Sequence, residues 1–164
     1  CDSAALTHGH PAGQHPAGVL AVLVLRLVQG ASLPESLAAA RAVLTTVPDH
    51  RETLAAIDLA AKLAGQGGEP DGHLRRLGEG WVGEEALAVG LTCAMTARSF
   101  AECIELAANH DGDSDSTASI AGQLYGARHG LAVIPAEAVD QVDVLEALLQ
   151  VVEAWEVRGQ SATQ

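Results

Sequence analysis

Apolar residues recur at helical spacing along most of the chain, and capping residues separate one apolar run from the next. Two of the runs are preceded by a Ser with a Glu three residues later, which is the spacing of a capping box. A third run is preceded by an Asp and a Glu at the same spacing. The capping pairs are Ser32 with Glu35, Asp49 with Glu52, and Ser99 with Glu102. The predicted helices cover about residues 19–28, 32–47, 49–64, 84–97, 99–108 and 116–129, with one or two more over 139–157. No alternating β pattern is sustained, so the predicted fold class is all-α.

Composition indicates what fills the core of these helices. Hydrophobic residues make up 48% of the chain but aromatic residues only 2%, so the core must consist of Ala, Leu and Val. Such a core favours closely packed helices. Ala118, Gly122 and Gly126 repeat every four residues within one predicted helix, and each Gly costs about 1 kcal/mol relative to Ala. We therefore expect a neighbouring helix to approach this stripe closely.

The charge of the chain limits its partners. Nine Lys and Arg against 21 Asp and Glu give a formal charge of −12, which argues against nucleic acid and against an anionic membrane. The most apolar run, Val19–Leu25, ends at Arg26 and is shorter than the ~20 residues of a membrane helix. Three cysteines are too few for a disulfide framework. The predicted location is the cytoplasm.

The beginning of the chain raises the question of completeness. Residue 1 is Cys1, the single methionine is Met95, and the first ten residues already have the pattern of packed, functional sequence. We expect residues 1–164 to be the C-terminal portion of one domain whose N-terminal half lies upstream.

The segment 111–117 (DGDSDST) carries the clearest candidate chemistry. Asp113 and Asp115 stand two residues apart where a loop enters a helix, so both carboxylates can converge on one hard cation. The Ser116 hydroxyl is a third oxygen, and Mg²⁺ or Mn²⁺ suits such donors. Asp and Ser before a helix are equally ordinary caps, and the spacing alone leaves both interpretations open.

Three segments in order resemble the ADP-ribosylglycohydrolase family, which includes the dinitrogenase-reductase-activating enzymes, the ADP-ribosyl-acceptor hydrolases and the J1 crystallins. Residues 111–116, followed by Ile120-Ala121-Gly122, resemble its Gly-Asp-Thr-Asp-Thr signature and the Ala-Gly helix after it. Residues 3–8 (SAALTH) resemble its Ser-Ala…Thr-His stretch, and residues 80–87 (GWVGEEAL) its Gly-Trp-Val-Gly-Glu-Glu-Ala-Leu segment.

The resemblance implies a compact multi-helix orthogonal bundle with a dinuclear Mg²⁺ or Mn²⁺ site that holds the ribose of ADP-ribose. The implied substrate is an ADP-ribosylated protein or a small ADP-ribosyl compound. The implied metal ligands are Asp113, Asp115 and Ser116, the last standing where the family usually has Thr. His8 matches a histidine that lines the substrate cleft, and Trp81 lies in the loop that covers the nucleotide. The leading Gly of the signature is Asp111 here.

The largest departure from the family is the absence of its other acidic cluster, a Thr-Asp-Asp that would precede residue 1. The acid implicated in activating water would also lie upstream. Two functions therefore stand side by side: a metal-dependent hydrolase of ADP-ribosyl bonds, and a non-catalytic, crystallin-like binding or structural protein. An upstream Thr-Asp-Asp would distinguish them.

Other residues have an ordinary interpretation beside a chemical one. His8, His10 and His15 could bind zinc with Asp2, but nothing fixes their geometry. Trp81 could be a core residue, although flanking glycines favour a loop. Glu84 and Glu85 are accounted for by the dipole of the helix they begin. The remaining candidates are the Arg75–Arg76 pair, as a pyrophosphate site or a solvated pair, and the helical thiols Cys93 and Cys103.

Overall fold

The computed structural model describes the backbone of residues 1–161 and the side chains of residues 1–155. Within that part the chain is helical and contains no strand, which confirms the all-α prediction. The α-helices are α1 (Asp2–Ala5), α2 (Pro11–Val28), α3 (Leu33–Leu44), α4 (Arg51–Ala64), α5 (Pro70–Leu74), α6 (Gly83–Thr96), α7 (Phe100–Ala108), α8 (Ser114–His129), α9 (Ala136–Asp140) and α10 (Leu145–Ser161).

The chain divides into two units. The first, Cys1–Val133, contains α1 to α8 and a short 3₁₀ turn, Leu131–Val133. The second begins at Ile134 and contains α9 and α10. On α10 the apolar side chains Leu148, Val152 and Trp155 are exposed.

Helix α6 forms the centre of the first unit. It packs against α2, α4, α5, α7 and α8, and every residue from Ala86 to Ala94 is buried. Small side chains allow contact on all sides, and a methyl group at Gly90 would lie 2.6 Å from Ile120 Cγ2 on α8. The helices approach less closely at the predicted stripe. A methyl group at Gly122 would lie 3.2 Å from Ile104 Cδ1, and one at Gly126 would have no neighbouring atom within 4 Å.

Helix α2 begins earlier than predicted. His10 is its N-cap, with Nδ1 accepting a hydrogen bond from the N–H of Ala12 at 3.2 Å, and Pro11 occupies the first turn. Pro16 lies inside the helix and has no N–H to give to the Ala12 carbonyl. That carbonyl instead faces Gly83, where a methyl group would stand 3.0 Å away. The start of α6 therefore packs directly on the start of α2.

By length and composition alone, α2 is also the one described helix that could cross a membrane. Its buried residues include Val19, Leu23 and Leu27, and it packs against α3, α6 and α8. In all, 33% of the helix is buried.

Of the three predicted helix caps, two are present in the structure and one is not. The Ser32–Glu35 capping box of α3 is confirmed in both directions. Ser99 caps α7 as predicted, with its hydroxyl accepting from Glu102 N–H at 3.1 Å. The Asp49–Glu52 prediction is wrong, because His50 occupies the N-cap of α4 and no side chain caps it. Residues 65–80 are not all loop either, since α5 lies within them.

Candidate functional site

The helices that follow the three recognised segments begin at one end of the first unit. Gly83 at the start of α6 lies against Ala12 and Pro16 in the first turns of α2. On the other side, Gly80 lies against Thr117 in the first turn of α8, and a methyl group there would be 2.9 Å from Thr117 Cγ2. The starts of α2, α6 and α8 therefore lie near one another, and their dipoles stabilise the acidic side chains at this end of the unit.

Two loops meet at this end, the 78–81 loop before α6 and the 111–113 loop before α8. The N–H of Asp113 donates to the Glu79 carbonyl oxygen at 2.8 Å. Gly112 lies so close to the same carbonyl that a side chain there would collide with it. Gly80 is buried at φ +82°, a conformation that favours glycine. The glycines of both segments are therefore required by the contact between the loops.

Thr117, in the first turn of α8, connects the 111–113 loop to the end of α7 through its hydroxyl group. Its side chain is fully buried, and its hydroxyl lies 2.7 Å from the Ala107 carbonyl oxygen at the end of α7. His110 Nε2 lies 2.8 Å from the same hydroxyl. Sequence reasoning missed this role, because a threonine in the first turn of a Ser-rich helix start carries no distinctive signal.

The two carboxylates of the motif differ, because only Asp115 accepts a hydrogen bond from the first turn of α8, from the Ser116 N–H to Oδ1 at 3.0 Å. Asp113 occupies the N-cap of α8, yet its side chain makes no capping hydrogen bond. Hydrogen bonding with the Asp113 side chain, and then with the N–H of Ser116, holds the pKa of Asp115 below its ordinary value of 3.8. Asp115 is exposed and Asp113 and Ser116 are half-buried. The simple capping interpretation of Asp113 is therefore wrong.

Trp81 projects from the other loop. Its side chain is 68% exposed, and Nε1 donates to Glu79 Oε2 at 3.0 Å. The prediction of a loop tryptophan is confirmed, and a core position is excluded. An exposed indole held at one edge leaves its face free to stack on a planar ring.

The glutamates that begin α6 differ from each other. Glu85 Oε2 accepts hydrogen bonds from the N–H groups of Glu79 and Gly80, each at 3.1 Å. Glu84 Oε2 is buried without a hydrogen-bond partner. The interpretation of both as dipole-stabilising residues therefore missed the role of Glu85, which fastens the loop carrying Trp81.

A family model described as ADP-ribosylglycohydrolase matches residues 1–162. The chain belongs to the ADP-ribosylglycohydrolase family. Membership indicates a hydrolase of this type, and the three segments that carry the resemblance are those whose loops and helix starts are described above. No curated protein and no solved structure gives a match. The placement of residues 1–164 as a C-terminal portion stays a prediction.

The donor set of the ADP-ribosylglycohydrolase motif suits a divalent cation in part. Asp113 and Asp115 stand two residues apart at the start of α8, and Ser116 adds a hydroxyl from the same helical turn. All three offer the hard oxygen donors that Mg²⁺ and Mn²⁺ prefer. Within residues 1–155 no group of three His, Cys, Asp or Glu side chains is arranged to hold a metal ion. The motif therefore fits one side of a cation and leaves the other side to further ligands.

His8 lies on the α2 side of the same end. Its ring is exposed and packs over Gly13, where a methyl group would be 2.9 Å from the ring. The Thr7 hydroxyl lies 2.9 Å from His8 Nδ1, and Gln14 Nε2 donates to the His8 carbonyl oxygen at 2.6 Å. The first segment is therefore held beside the start of α2.

The other histidines of this region do not group with His8. His10 is exposed, where its ring caps α2, whereas His15 is buried within that helix. Asp2 is exposed on α1. An open cleft of about 660 Å³ adjoins His10 and residues 47–52, but its lining does not include Asp113, Asp115 or Trp81.

The remaining candidates lie outside the motif. Arg75 and Arg76 are exposed, and Arg75 borders a small cavity of about 100 Å³ beside His110 and Asp111. Cys93 and Cys103 are buried, and burial raises the pKa of each thiol to about 12. A thiol with such a pKa is a poor nucleophile at neutral pH.

Proposed function

We propose that residues 111–117 supply one side of a dinuclear Mg²⁺ or Mn²⁺ site in a hydrolase that cleaves the glycosidic bond between ADP-ribose and its acceptor. The observation that carries the proposal is the position of Asp113 and Asp115, two residues apart where the loop enters α8, with an Asp113 side chain that makes no capping hydrogen bond. Two ionised carboxylates this close repel each other, and a cation between them removes the repulsion. A helix cap would not require the pair.

The residues that would hold the cations are Asp113, Asp115 and Ser116. Bound cations supply the positive charge that fixes ribose hydroxyls and a water molecule near the glycosidic carbon. The backbone that carries these ligands is held in place, because the Asp113 N–H donates to the Glu79 carbonyl oxygen and the Thr117 hydroxyl bonds to the Ala107 carbonyl oxygen. Fixed ligands lower the entropic cost of orienting the reacting groups.

Other residues at this end suit the rest of an ADP-ribosyl group. The exposed indole of Trp81 offers a stacking surface for a planar ring. The starts of α2, α6 and α8 favour the negative pyrophosphate through their dipoles. His8, exposed beside the start of α2, would line the cleft. The substrate class is an ADP-ribosylated protein or a small ADP-ribosyl compound.

The group that activates the attacking water is not assigned to a residue of this chain. Three protein oxygens cover about half of an octahedral cation's sphere. We propose that the remaining ligands and the water-activating acid come from an N-terminal half of the same fold.

A non-catalytic, crystallin-like role is the alternative, and the small donor set around Asp113 favours it. Such a protein would retain the fold and the Trp81 loop and could still bind ADP-ribose. It would release no product from an ADP-ribosylated substrate.

The two functions are separated by measuring ADP-ribose release with Mn²⁺ from ADP-ribosylated protein. The assay compares the 164-residue chain with the protein expressed with all coding sequence upstream of Cys1. We expect negligible turnover by the shorter chain and turnover by the longer protein that Asp115→Ala abolishes. Comparable turnover by both would show that the site is complete within this chain. Mn²⁺-dependent ADP-ribose binding without turnover by either would favour the alternative.

A further inference from the structure

The carboxylate of Glu85 is the fastening point of the 78–80 loop. Its Oε2 accepts from the N–H groups of Glu79 and Gly80, both at 3.1 Å. Hydrogen bonds to an ionised acceptor are about twice as strong as neutral ones. The start of α6 favours the negative charge as well. Gly78 adopts φ +105°, and a side chain there would collide with the Glu85 carboxylate, so the loop is shaped around this group.

The fastened loop in turn contacts the carboxylate motif. The Glu79 carbonyl oxygen accepts from the Asp113 N–H at 2.8 Å. Gly80 packs on the same stretch, and a methyl group there would be 3.6 Å from Asp113 Cβ. Glu79 therefore has its N–H held by Glu85 and its carbonyl held by Asp113. Two consecutive hydrogen bonds thus link the Asp113 backbone to a carboxylate on a different helix.

We propose that Glu85 is a positioning residue that sets the place of the Asp113 backbone through Glu79, and with it the spacing of the Asp113 and Asp115 carboxylates. Its consequence for cation binding rests on the proposed function. The positioning itself does not, because the contacts lie within the metal-free protein.

The metal-free test is amide hydrogen exchange measured by NMR on the folded 164-residue chain. Glu85→Ala should speed exchange of the Glu79, Gly80 and Asp113 amides at least about tenfold, because local opening sets the exchange rate. The Asp113 amide is the decisive one, since its partner is Glu79. Glu85→Gln keeps an oxygen acceptor but loses the charge, so its exchange should lie between those of wild type and Glu85→Ala. The matched control is Glu35→Ala, which removes the equivalent carboxylate–backbone bond at Ser32 on α3 and should leave Asp113 unchanged.

The second readout is Mn²⁺ affinity, measured by electron paramagnetic resonance of the free ion. Loss of a group that orients a metal ligand costs about 10–100-fold in affinity. We expect this loss in Glu85→Ala, partial rescue in Glu85→Gln, and no loss in Glu35→Ala. If Glu85→Ala does not fold, the test is Gly78→Ala compared with Gly30→Ala, because Gly30 also has a positive φ (+87°) but no atom within 4 Å of an added methyl. The methyl at position 78 displaces the carboxylate while Glu85 remains. It should speed Asp113 exchange in the same way.

The outcomes separate the two proposals. Unchanged Asp113 exchange in folded Glu85→Ala or Gly78→Ala overturns the positioning role. If Glu85→Ala speeds Asp113 exchange but leaves Mn²⁺ affinity unaltered, Glu85 positions the loop without affecting the metal ligands, and that part of the proposal is wrong. Absence of Mn²⁺ binding by wild type, in this chain and in the longer protein, contradicts the proposed function and leaves the exchange result to decide the positioning role.

Discussion

The N–H of Asp113 donates to the carbonyl oxygen of Glu79 at 2.8 Å and joins two loops that are more than thirty residues apart in the chain. One loop carries the exposed Trp81 and the other carries the paired carboxylates. Because both loops lead into neighbouring helices, α6 and α8, the packing of those helices keeps the loops together. The candidate site is thus built on the helix contact at Gly90 and Ile120.

The contact between the loops predicts that Gly112 tolerates no side chain. Gly112→Ala would push the added methyl into the Glu79 carbonyl and should lower the free energy of unfolding by about 1–3 kcal/mol, as overpacking does. Gly126→Ala is the control, since it lies in α8 with open space within 4 Å and should raise stability by up to about 1 kcal/mol. Urea denaturation of both variants gives the values. Equal effects of the two substitutions would contradict a steric limit at the Glu79 carbonyl.

The buried hydroxyl of Thr117 predicts a second stability difference. Thr117→Val keeps the shape but leaves the Ala107 carbonyl and His110 without their partner. Unsatisfied buried groups cost about 1–3 kcal/mol, so stability should fall by that amount. Thr92→Val is the matched control on α6, because Thr92 Oγ1 is buried with no hydrogen-bond partner.

Thr92→Val removes a buried hydroxyl that has no hydrogen-bond partner, so it should raise the free energy of unfolding, by up to about 1–3 kcal/mol. Denaturant titration of wild type and the two valine variants decides the matter. A larger loss from Thr92→Val than from Thr117→Val would mean that the hydrogen-bond assignment of α8's first turn is wrong.

The metal-ligand assignment predicts the effect of Asp115→Ala. If Asp113 and Asp115 hold a cation, Mn²⁺ at about 100 times its Kd should stabilise the protein by about 2.7 kcal/mol. Asp115→Ala should abolish the stabilisation without unfolding the apo protein, because Asp115 is exposed. Asp111→Ala, another exposed acid of the same loop, should keep it. A metal-induced shift that survives in Asp115→Ala would refute the assignment.

Local signals in the sequence predicted most helices but not all their beginnings. The box at Ser32 and Glu35 could be recognised because both of its hydrogen bonds lie within four residues. The same spacing at Asp49 was misleading, since Asp49 adopts φ +53° and precedes the N-cap. The start of α2 was missed because its cap is a histidine ring, His10, an uncommon capping group.

The candidate site was predictable to the extent that it is contiguous in the chain. Asp113, Asp115 and Ser116 could be chosen from one motif, and Trp81 from the glycines around it. Glu85 and Thr117 could not, because their backbone partners lie five to ten residues earlier in the chain and follow no recognised capping spacing. A glutamate or threonine in a first helical turn also has a sufficient local explanation. The close approach of α6 to α8 at Gly90 escaped prediction for the same reason.

The capping box of α3 predicts a dependence of stability on pH. Hydrogen bonds from the Ser32 hydroxyl and from its backbone N–H hold the pKa of Glu35 below the ordinary value of 4.5. Because folding lowers this pKa, the ionised carboxylate stabilises the protein at pH values above 4.5, and the contribution is lost as pH falls through the folded pKa. Glu35→Gln should therefore be less stable than wild type at pH 7, and the difference should shrink below pH 4.5. The measurement is the free energy of unfolding at pH 7 and pH 3, with Glu105→Gln, an exposed glutamate on α7, as the control. A Glu35→Gln deficit that grows as the solution becomes acidic would contradict the lowered pKa.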